Sequence, residues 1–324
     1  MGWTRRQLLA GAAGAALSAR FPGPARAAAR TLDGPAFGTY WRAVLPPYAD
    51  AQRACSAIVA VVGSVDRALS PFRPSSEISR LNASDATDWL PLSPDAAAVV
   101  GASLRIAGAT GGAFDPTVGG IVNRYGFGPI RSDATATFAD LAARPDAVRK
   151  MTAGVTCDPC GIAKGFALDR MSERLAECGI ADHLIELGGE VGARGRHPGG
   201  RPWQVGIERP GETPTAFQRV VRLDGEALAT SGDSVNGFDF AGRRYGHIID
   251  PRTRRPAAAG LASVSVLAAT GMVADALATA LYAMGPEAGP DFADRRSIAA
   301  LFLVRDGAGI REVQTGRFAA HIVA

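Results

Sequence analysis

The sequence predicts an α+β fold in which meandering antiparallel sheets pack against helices. Three observations point there. Helical and alternating segments do not succeed one another regularly, as βαβ units would. Neighbouring strand patterns lie close enough in the chain to pair locally. No repeat, linker or low-complexity tract divides the chain, and its 324 residues, 47% of them apolar, suffice for a sizeable core. Residues 28–324 therefore read as one structural unit.

Phe37 to Val44 reads as the first strand. Ala51 to Leu69 reads as a helix, because Ile58, Val61, Val62, Val65 and Leu69 recur on one helical face before the turn-rich Ser70-Pro71-Phe72-Arg73-Pro74. A second helix is announced by Ser93 as N-cap, Pro94 at the first helical position and Asp95 behind it, and is stopped by Gly111-Gly112. A third begins near Ala163, with Ala167, Met171 and Leu175 on one face before Gly179. Trp203, Val205 and Ile207 alternate with Gln204, Gly206 and Glu208, and Val264 and Val266 with Ser263 and Ser265, so both stretches read as strands. A final helix over about Val273 to Met284 follows.

The N-terminus has a separate character. Thr4-Arg5-Arg6-Gln7-Leu8-Leu9 opens a small-residue apolar run from Ala10 to Leu17, and Ala25-Arg26-Ala27 supplies a small-x-small cleavage signature. Residues 1–27 read as a twin-arginine signal peptide cut after Ala27. The apolar run is about half of the roughly 20 residues that a bilayer span needs, so the expectation is a periplasmic protein, exported by the twin-arginine route, without stable membrane insertion. Arg5, Arg6, Arg20 and Arg26 all lie in this leader, so the formal charge of +4 vanishes with it. No basic cluster interleaved with aromatics remains, and nucleic acid is not an expected partner.

No G-x-G-x-x-G opening a helix, Walker loop, nucleophile elbow or H-E-x-x-H occurs. The chain offers instead Gly-rich polar loops at the ends of apolar elements: Gly111 to Thr117, Asp158 to Gly165, Gly188-Gly189-Glu190, Thr230 to Asp233 and His247 to Pro251. Glycine lets backbone amides approach a ligand closely and cradle phosphate oxygens, and five such loops suggest a large ligand. Any one of them, taken alone, is an ordinary turn. Asp275 and Thr279, four apart on the last helix, project a carboxylate and a hydroxyl from one face, a pattern that suits a hard cation such as magnesium but also plain helix-terminus chemistry. Lys164, one of only two lysines, stands at a helix start where a cation is unfavourable unless an anion joins it; a solvent-reaching lysine is the alternative. His247 lies inside a polar loop and is a candidate acid or base, or a structural donor. Cys157-Asp158-Pro159-Cys160 is formally a CxxC pair, but it lacks the context of a redox or zinc site.

These loops, taken together, resemble the ApbE family of FAD:protein FMN transferases. The resemblance rests on Phe37-Gly38-Thr39, SPFRPSSEISRLN from Ser70 to Asn82, GAFDPTVGGIVNRYGFG from Gly112 to Gly128, Asp158 to Asp169, LGGE from Leu187 to Glu190, Thr230-Ser231-Gly232, HIIDP from His247 to Pro251 and ADALATAL from Ala274 to Leu281, collinear through the mature chain. It implies a magnesium ion held by Asp275, Thr279 and a backbone oxygen near Gly161. It also implies FAD contacts at Phe37, Phe72, Ala113, Phe114, Asp115, Asp158 and Lys164 and around Ile249 and Ala278. The implied reaction is attack of a Thr or Ser hydroxyl of an acceptor protein on the FMN phosphorus, with AMP leaving and His247 or Asp275 assisting deprotonation. An FAD pyrophosphatase giving FMN and AMP, and a periplasmic flavin carrier, are the competing readings. Phe37 stands where the family usually has Met, Phe72 where it has Tyr, Arg254 where Gly is common, and Pro159-Cys160 replaces a small or aliphatic pair.

Overall fold

Phe37 and Gly38 both have positive φ, 49° and 78°, the signature of a two-residue primed hairpin turn whose twist matches its strands. The first strand expectation is corrected accordingly. Phe37 belongs to a turn between β1 (Arg30–Ala36) and β2 (Thr39–Leu45), paired antiparallel with Ala36 opposite Thr39. The mostly exposed edge strand β1 had no apolar alternation to reveal it, and it carries Pro35, which an edge tolerates.

The computed structural model describes residues 29–210, 216–233, 237–240, 243–257, 259–307 and 309–323, so the expected leader, 1–27, lies outside the described residues. After β2 the chain forms α1 (Ala51–Leu69), α2 (Glu77–Ala83), β3 (Leu90–Pro91), α3 (Pro94–Ala109), α4 (Gly119–Arg124), β4 (Leu141–Arg144) and β5 (Ala147–Lys150). There follow α5 (Ala163–Glu177), β6 (His183–Leu187), β7 (Glu190–Arg194), β8 (Trp203–Glu208), β9 (Phe217–Leu223), β10 (Ala227–Gly232), β11 (Gly237–Phe240) and β12 (Arg243–Gly246). The chain ends with β13 (Ile249–Asp250), β14 (Arg255–Pro256), β15 (Leu261–Ala268), α6 (Gly271–Arg295), β16 (Ala299–Asp306) and β17 (Gly309–Thr315).

The expected helices stand where their signals put them. Asp50 and Ser93 accept the Arg53 and Ala96 amides as N-caps of α1 and α3. In α6 the helix stops at Met284, as read, because Gly285 takes φ 88°; helical turns then resume through Pro286 to Arg295.

Eight strands form one antiparallel sheet in the order β1-β2-β6-β7-β10-β15-β16-β17. Its strands bury both faces. Along β16, Ala300, Phe302 and Val304 pack under α6, while Ala299, Leu301 and Leu303 face the β8–β9 ribbon with Trp203, Val205 and Phe318. Along β15, Ser265 is also buried, its hydroxyl bonded to Thr230 at 2.8 Å, so the expected polar face is a satisfied interior. Helices α1, α3 and α5 enclose the other large core, around Trp41, Ile58, Val99, Leu168 and Met171. Among the described residues no helix is long and apolar enough to cross a membrane.

Candidate functional site: a cleft floored by two helices

The helix starts of α5 and α6 meet at backbone distance. A Cβ built on Gly165 would lie 2.1 Å from the Gly271 carbonyl oxygen, so only glycine permits the approach. Asp169 completes the contact by accepting the amides of Gly271 and Met272 at 2.6 and 2.9 Å, thereby capping α6. One turn further along α6, Asp275 accepts the Gly165 amide at 3.0 Å. The crossing thus brings Asp275 and Thr279 of α6 over the Gly161-Lys164 entry of α5.

A cleft of about 880 Å³ opens above this floor, at the upper end of ligand-pocket sizes. Every Gly-rich loop singled out in the sequence contributes to its lining. Phe72, Ala113, Phe114, Asp115, Asp158, Gly161, Lys164, His247, Ile249, Asp275 and Thr279 all lie on its wall. Two expected contacts do not. Phe37 packs against the α1–α3–α5 core from its turn, and its neighbours Thr39 and Tyr40 line the cleft instead. Ala278 of α6 is wholly buried against the sheet, with Val264, Val266 and Phe302 in its cluster, while Asp275 and Thr279, three before and one after, reach the cleft.

The charges on the floor do not balance. Lys164 donates to Glu190 Oε1 at 2.6 Å, yet two buried carboxylates, Glu190 and Asp275, face this single ammonium. Burial pushes the Asp275 carboxyl above the usual carboxylate range, against the pull of Lys164 and the Gly165 amide. Burial raises Glu190 in the same way, and among the described residues its Oε2 has no hydrogen-bond partner. For Lys164 burial works downward, but Glu190 and Asp275 outweigh it and hold the ammonium above its ordinary value.

This arrangement fits a hard divalent cation. The available donors are a carboxylate, the Thr279 hydroxyl and backbone oxygen near Gly161, and a cation would offset the excess negative charge. Gly161 is held against Thr279: an added Cβ would sit 3.1 Å from Thr279 Oγ1 and 3.2 Å from the Phe114 ring. Ser231, at the end of β10, reaches Thr279 Oγ1 at 3.4 Å. Among the described residues no group of three or more His, Cys, Asp or Glu side chains forms a metal cage; magnesium bound through one carboxylate and substrate phosphates does not require one.

Other lining residues are committed to shaping the loops. Asp115 accepts from the Thr117 amide and hydroxyl at 2.8 and 2.7 Å and from the Phe138 amide at 3.0 Å. Burial still leaves its carboxyl raised, so it serves the cleft as a loop-former. Asp158 accepts the Cys160 amide at 3.0 Å and is likewise raised by burial. The four cysteines are free, with Cys157 buried and Cys160 open to the cleft. Arg254 takes φ 56°, a left-handed conformation that explains why glycine is common there in the resembled family.

Sequence reasoning assigned no role to several residues that build the site. Asn82 pairs with the Cys157 backbone in both directions, at 2.7 and 2.9 Å, and so fixes the Asp158–Gly161 loop. Glu190 orients Lys164, and Asp233, Arg244 and Arg305 form a charged cluster on the opposite wall. The available signal for Glu190 was a carboxylate directly after Gly188-Gly189 and ahead of the uncharged Val191-Gly192-Ala193.

Comparison with known proteins agrees with this geometry. The model of the ApbE family matches residues 37–302. The FAD:protein FMN transferase of Vibrio cholerae is 34% identical over 303 residues, 89% of this chain and 91% of that protein. The enzyme of the same name from Escherichia coli K12 is 31% identical over 90% of this chain and 89% of its own length. Among solved structures, the flavin transferase ApbE of Vibrio cholerae superposes with a TM-score of 0.82 at 32% identity, covering 90% of this chain and 99% of that one. The apo flavinyl transferase ApbE of Pseudomonas stutzeri gives 0.81 at 32% identity, with 91% and 97% covered. The collinear motifs, the α+β sheet order that brings their loops to one cleft, and a family match over most of the described residues lead to one conclusion: the chain belongs to the ApbE family.

Proposed function

We propose that this chain is an FAD:protein FMN transferase that moves FMN from FAD onto a Thr or Ser hydroxyl of an exported or membrane-bound respiratory protein, releases AMP, and depends on magnesium. The observation that carries the reading is the floor of the cleft, where Lys164, Asp275, Thr279 and Gly161 converge with Glu190 of β7, so that two buried carboxyl groups face one ammonium. The names of the relatives support the substrate and the reaction type.

In this reading the hydroxyl oxygen of the acceptor attacks the FMN phosphorus, the bond from that phosphorus to the AMP oxygen breaks, and the hydroxyl proton passes to the protein. His247 on the cleft wall is the proposed proton acceptor, since Asp275 is engaged by the Gly165 amide and by its proposed role as a ligand. Lys164, oriented by Glu190, would bind pyrophosphate oxygens, while Phe72, Ala113, Phe114 and Ile249 offer apolar walls to the ring systems. Magnesium, held by Asp275, Thr279 and backbone oxygen near Gly161, would supply neutralisation of the pyrophosphate charge. The leader of residues 1–27 supports export by the twin-arginine route and a periplasmic site of action.

The test is in-gel flavin fluorescence of an acceptor domain carrying a Ser/Asp-Gly-x-Thr motif, after incubation with the protein, FAD and magnesium. Fluorescence that survives denaturation and disappears with EDTA is expected. Free FMN and AMP beside an unlabelled acceptor would replace the reading with FAD pyrophosphatase, and intact FAD would replace it with a flavin carrier.

A further inference from the structure

The β11–β12 hairpin borders the cleft. On one side Arg244 of β12 donates to the Asp233 carbonyl at 2.6 Å, and the buried Asp233 carboxylate is paired with Arg305, also at 2.6 Å. On the other side Phe238 stacks on Phe127 with centroids 5.5 Å apart, and Tyr245 lies over Tyr125 at 6.5 Å. Phe238 and Tyr245 stack on each other at 5.4 Å. Phe127, Asp233, Arg244 and Arg305 line the cleft, so the hairpin is attached to its lining through both a charged and an aromatic contact.

The aromatic side of the hairpin that packs on Phe127 continues beyond that contact. Phe240 is 68% exposed and Phe238 41%. They stand two apart on β11 and so share one face, which continues the aromatic stack from the cleft wall outward. Single exposed apolar residues need no explanation, but two on one four-residue strand at the mouth of a site do. Among the described residues β11 and β12 pair only with each other, so each has an outer edge without a strand partner.

Resting on the transferase reading, we propose that the β11–β12 hairpin docks the acceptor protein: an extended acceptor segment lies along β11, seats an apolar side chain on Phe240, and passes its hydroxyl over the rim into the cleft. The occupant follows from position. In the transferase reading the cleft is the place of FAD, and its lining includes neither Phe238 nor Phe240. The second substrate is a protein, and its hydroxyl reaches the floor by entering the cleft, whose lining the hairpin joins through Arg244. An extended strand advances about 3.3 Å per residue, so a few residues beyond the docked segment reach from rim to floor. Backbone pairing at a free strand edge with side-chain pockets beside it is an established mode of peptide capture.

The experiment compares the full chain with Phe240→Ser and Phe240→Tyr variants, using a purified acceptor domain with a Ser/Asp-Gly-x-Thr motif as probe. The readouts are initial rates of covalent flavin transfer against acceptor concentration, FAD affinity from quenching of flavin fluorescence, and molecular mass by sedimentation. Expected for Phe240→Ser is a fall of about tenfold or more in kcat/KM for the acceptor, the size of an aromatic anchor's loss. FAD affinity should stay within about twofold, and Phe240→Tyr should restore the rate. An unchanged acceptor kcat/KM overturns the proposal, as does a parallel loss of FAD affinity. A dimer that Phe240→Ser converts to monomer without loss of transfer assigns the face to a second copy and overturns it too. If wild-type protein splits FAD without labelling the acceptor, the transferase reading itself fails and this inference falls with it.

Discussion

Asp275 places a carboxyl group where burial makes its charge costly to the fold. Its carboxyl is raised by burial, so at neutral pH its ionised form opposes folding until a cation or a bound ligand compensates. Asp275→Asn keeps an oxygen for the Gly165 amide and removes that cost. It is expected to raise the Tm of the ligand-free protein by about 2–5 °C while lowering magnesium-stimulated FMN transfer by about 100-fold or more; full activity with magnesium would refute the metal assignment. Glu190 is a positioning residue that acts through Lys164. Because Glu190 and Asp275 hold the Lys164 ammonium above its ordinary value, Glu190→Gln lowers that value. Activity that requires the charged ammonium should then be lost at a lower pH on the alkaline limb, with kcat/KM for FAD reduced by about tenfold at neutral pH. An alkaline limb that does not move would leave Glu190 a merely structural role. Asp275 and Thr279 were legible in the sequence because helical spacing alone sets their common face. Glu190 was not, because its function lies in a contact with a residue 26 positions away.

Helices α1, α3 and α5 were read almost to the residue, since each carries local apolar spacing with a cap, a stop or both, whereas the short α2 and α4 were not read. How they cross was not written locally. The approach of α5 to α6 depends on Gly165 and Gly271 meeting without side chains and on Asp169 bridging to α6. Gly165→Ala therefore tests the element that assembles the site. A methyl group 2.1 Å from the Gly271 carbonyl oxygen cannot be accommodated in place, so α6 must move. Overpacking of this kind costs about 1–3 kcal/mol, and more where backbone is the obstacle. Urea unfolding should show a loss of about 3 kcal/mol, together with weaker magnesium dependence of FAD binding, because Asp275 and Thr279 travel with α6. Unchanged stability and unchanged magnesium dependence would show that the crossing is looser than its geometry. The hairpin of β1 and β2 escaped sequence reading for a different reason: Phe37 takes a left-handed conformation that favours glycine, and no propensity argument anticipates it.

At the scale of the whole molecule, local pairing explains β1–β2, β6–β7 and β16–β17, but the joins β2–β6, β7–β10, β10–β15 and β15–β16 enclose helices or whole hairpins and are set by the packed cores. The fold class could therefore be read from the sequence, whereas the sheet order could not. His183 stands at one such join. It opens β6, is wholly buried, contacts Ser172 of α5 through Nε2 at 2.7 Å and the Ile180 carbonyl through Nδ1 at 3.0 Å. Burial lowers its pKa from 6.5 to about 4. A histidine depressed in the folded state is held neutral there, so its contribution to stability is complete above about pH 6.5 and is lost as the pH falls towards 4. The shift corresponds to about 3 kcal/mol. Asp115, Asp158 and Asp169, all raised by burial, act in the opposite sense over the acid range, so the wild-type slope alone does not isolate the histidine. The difference between wild type and His183→Gln does. Measured by urea unfolding from pH 7 to pH 4, wild type should lose about 3 kcal/mol more than the variant across this interval. A difference that does not change with pH would mean that the join between α5 and the sheet admits a charged imidazole, and that the core at this join is open to water.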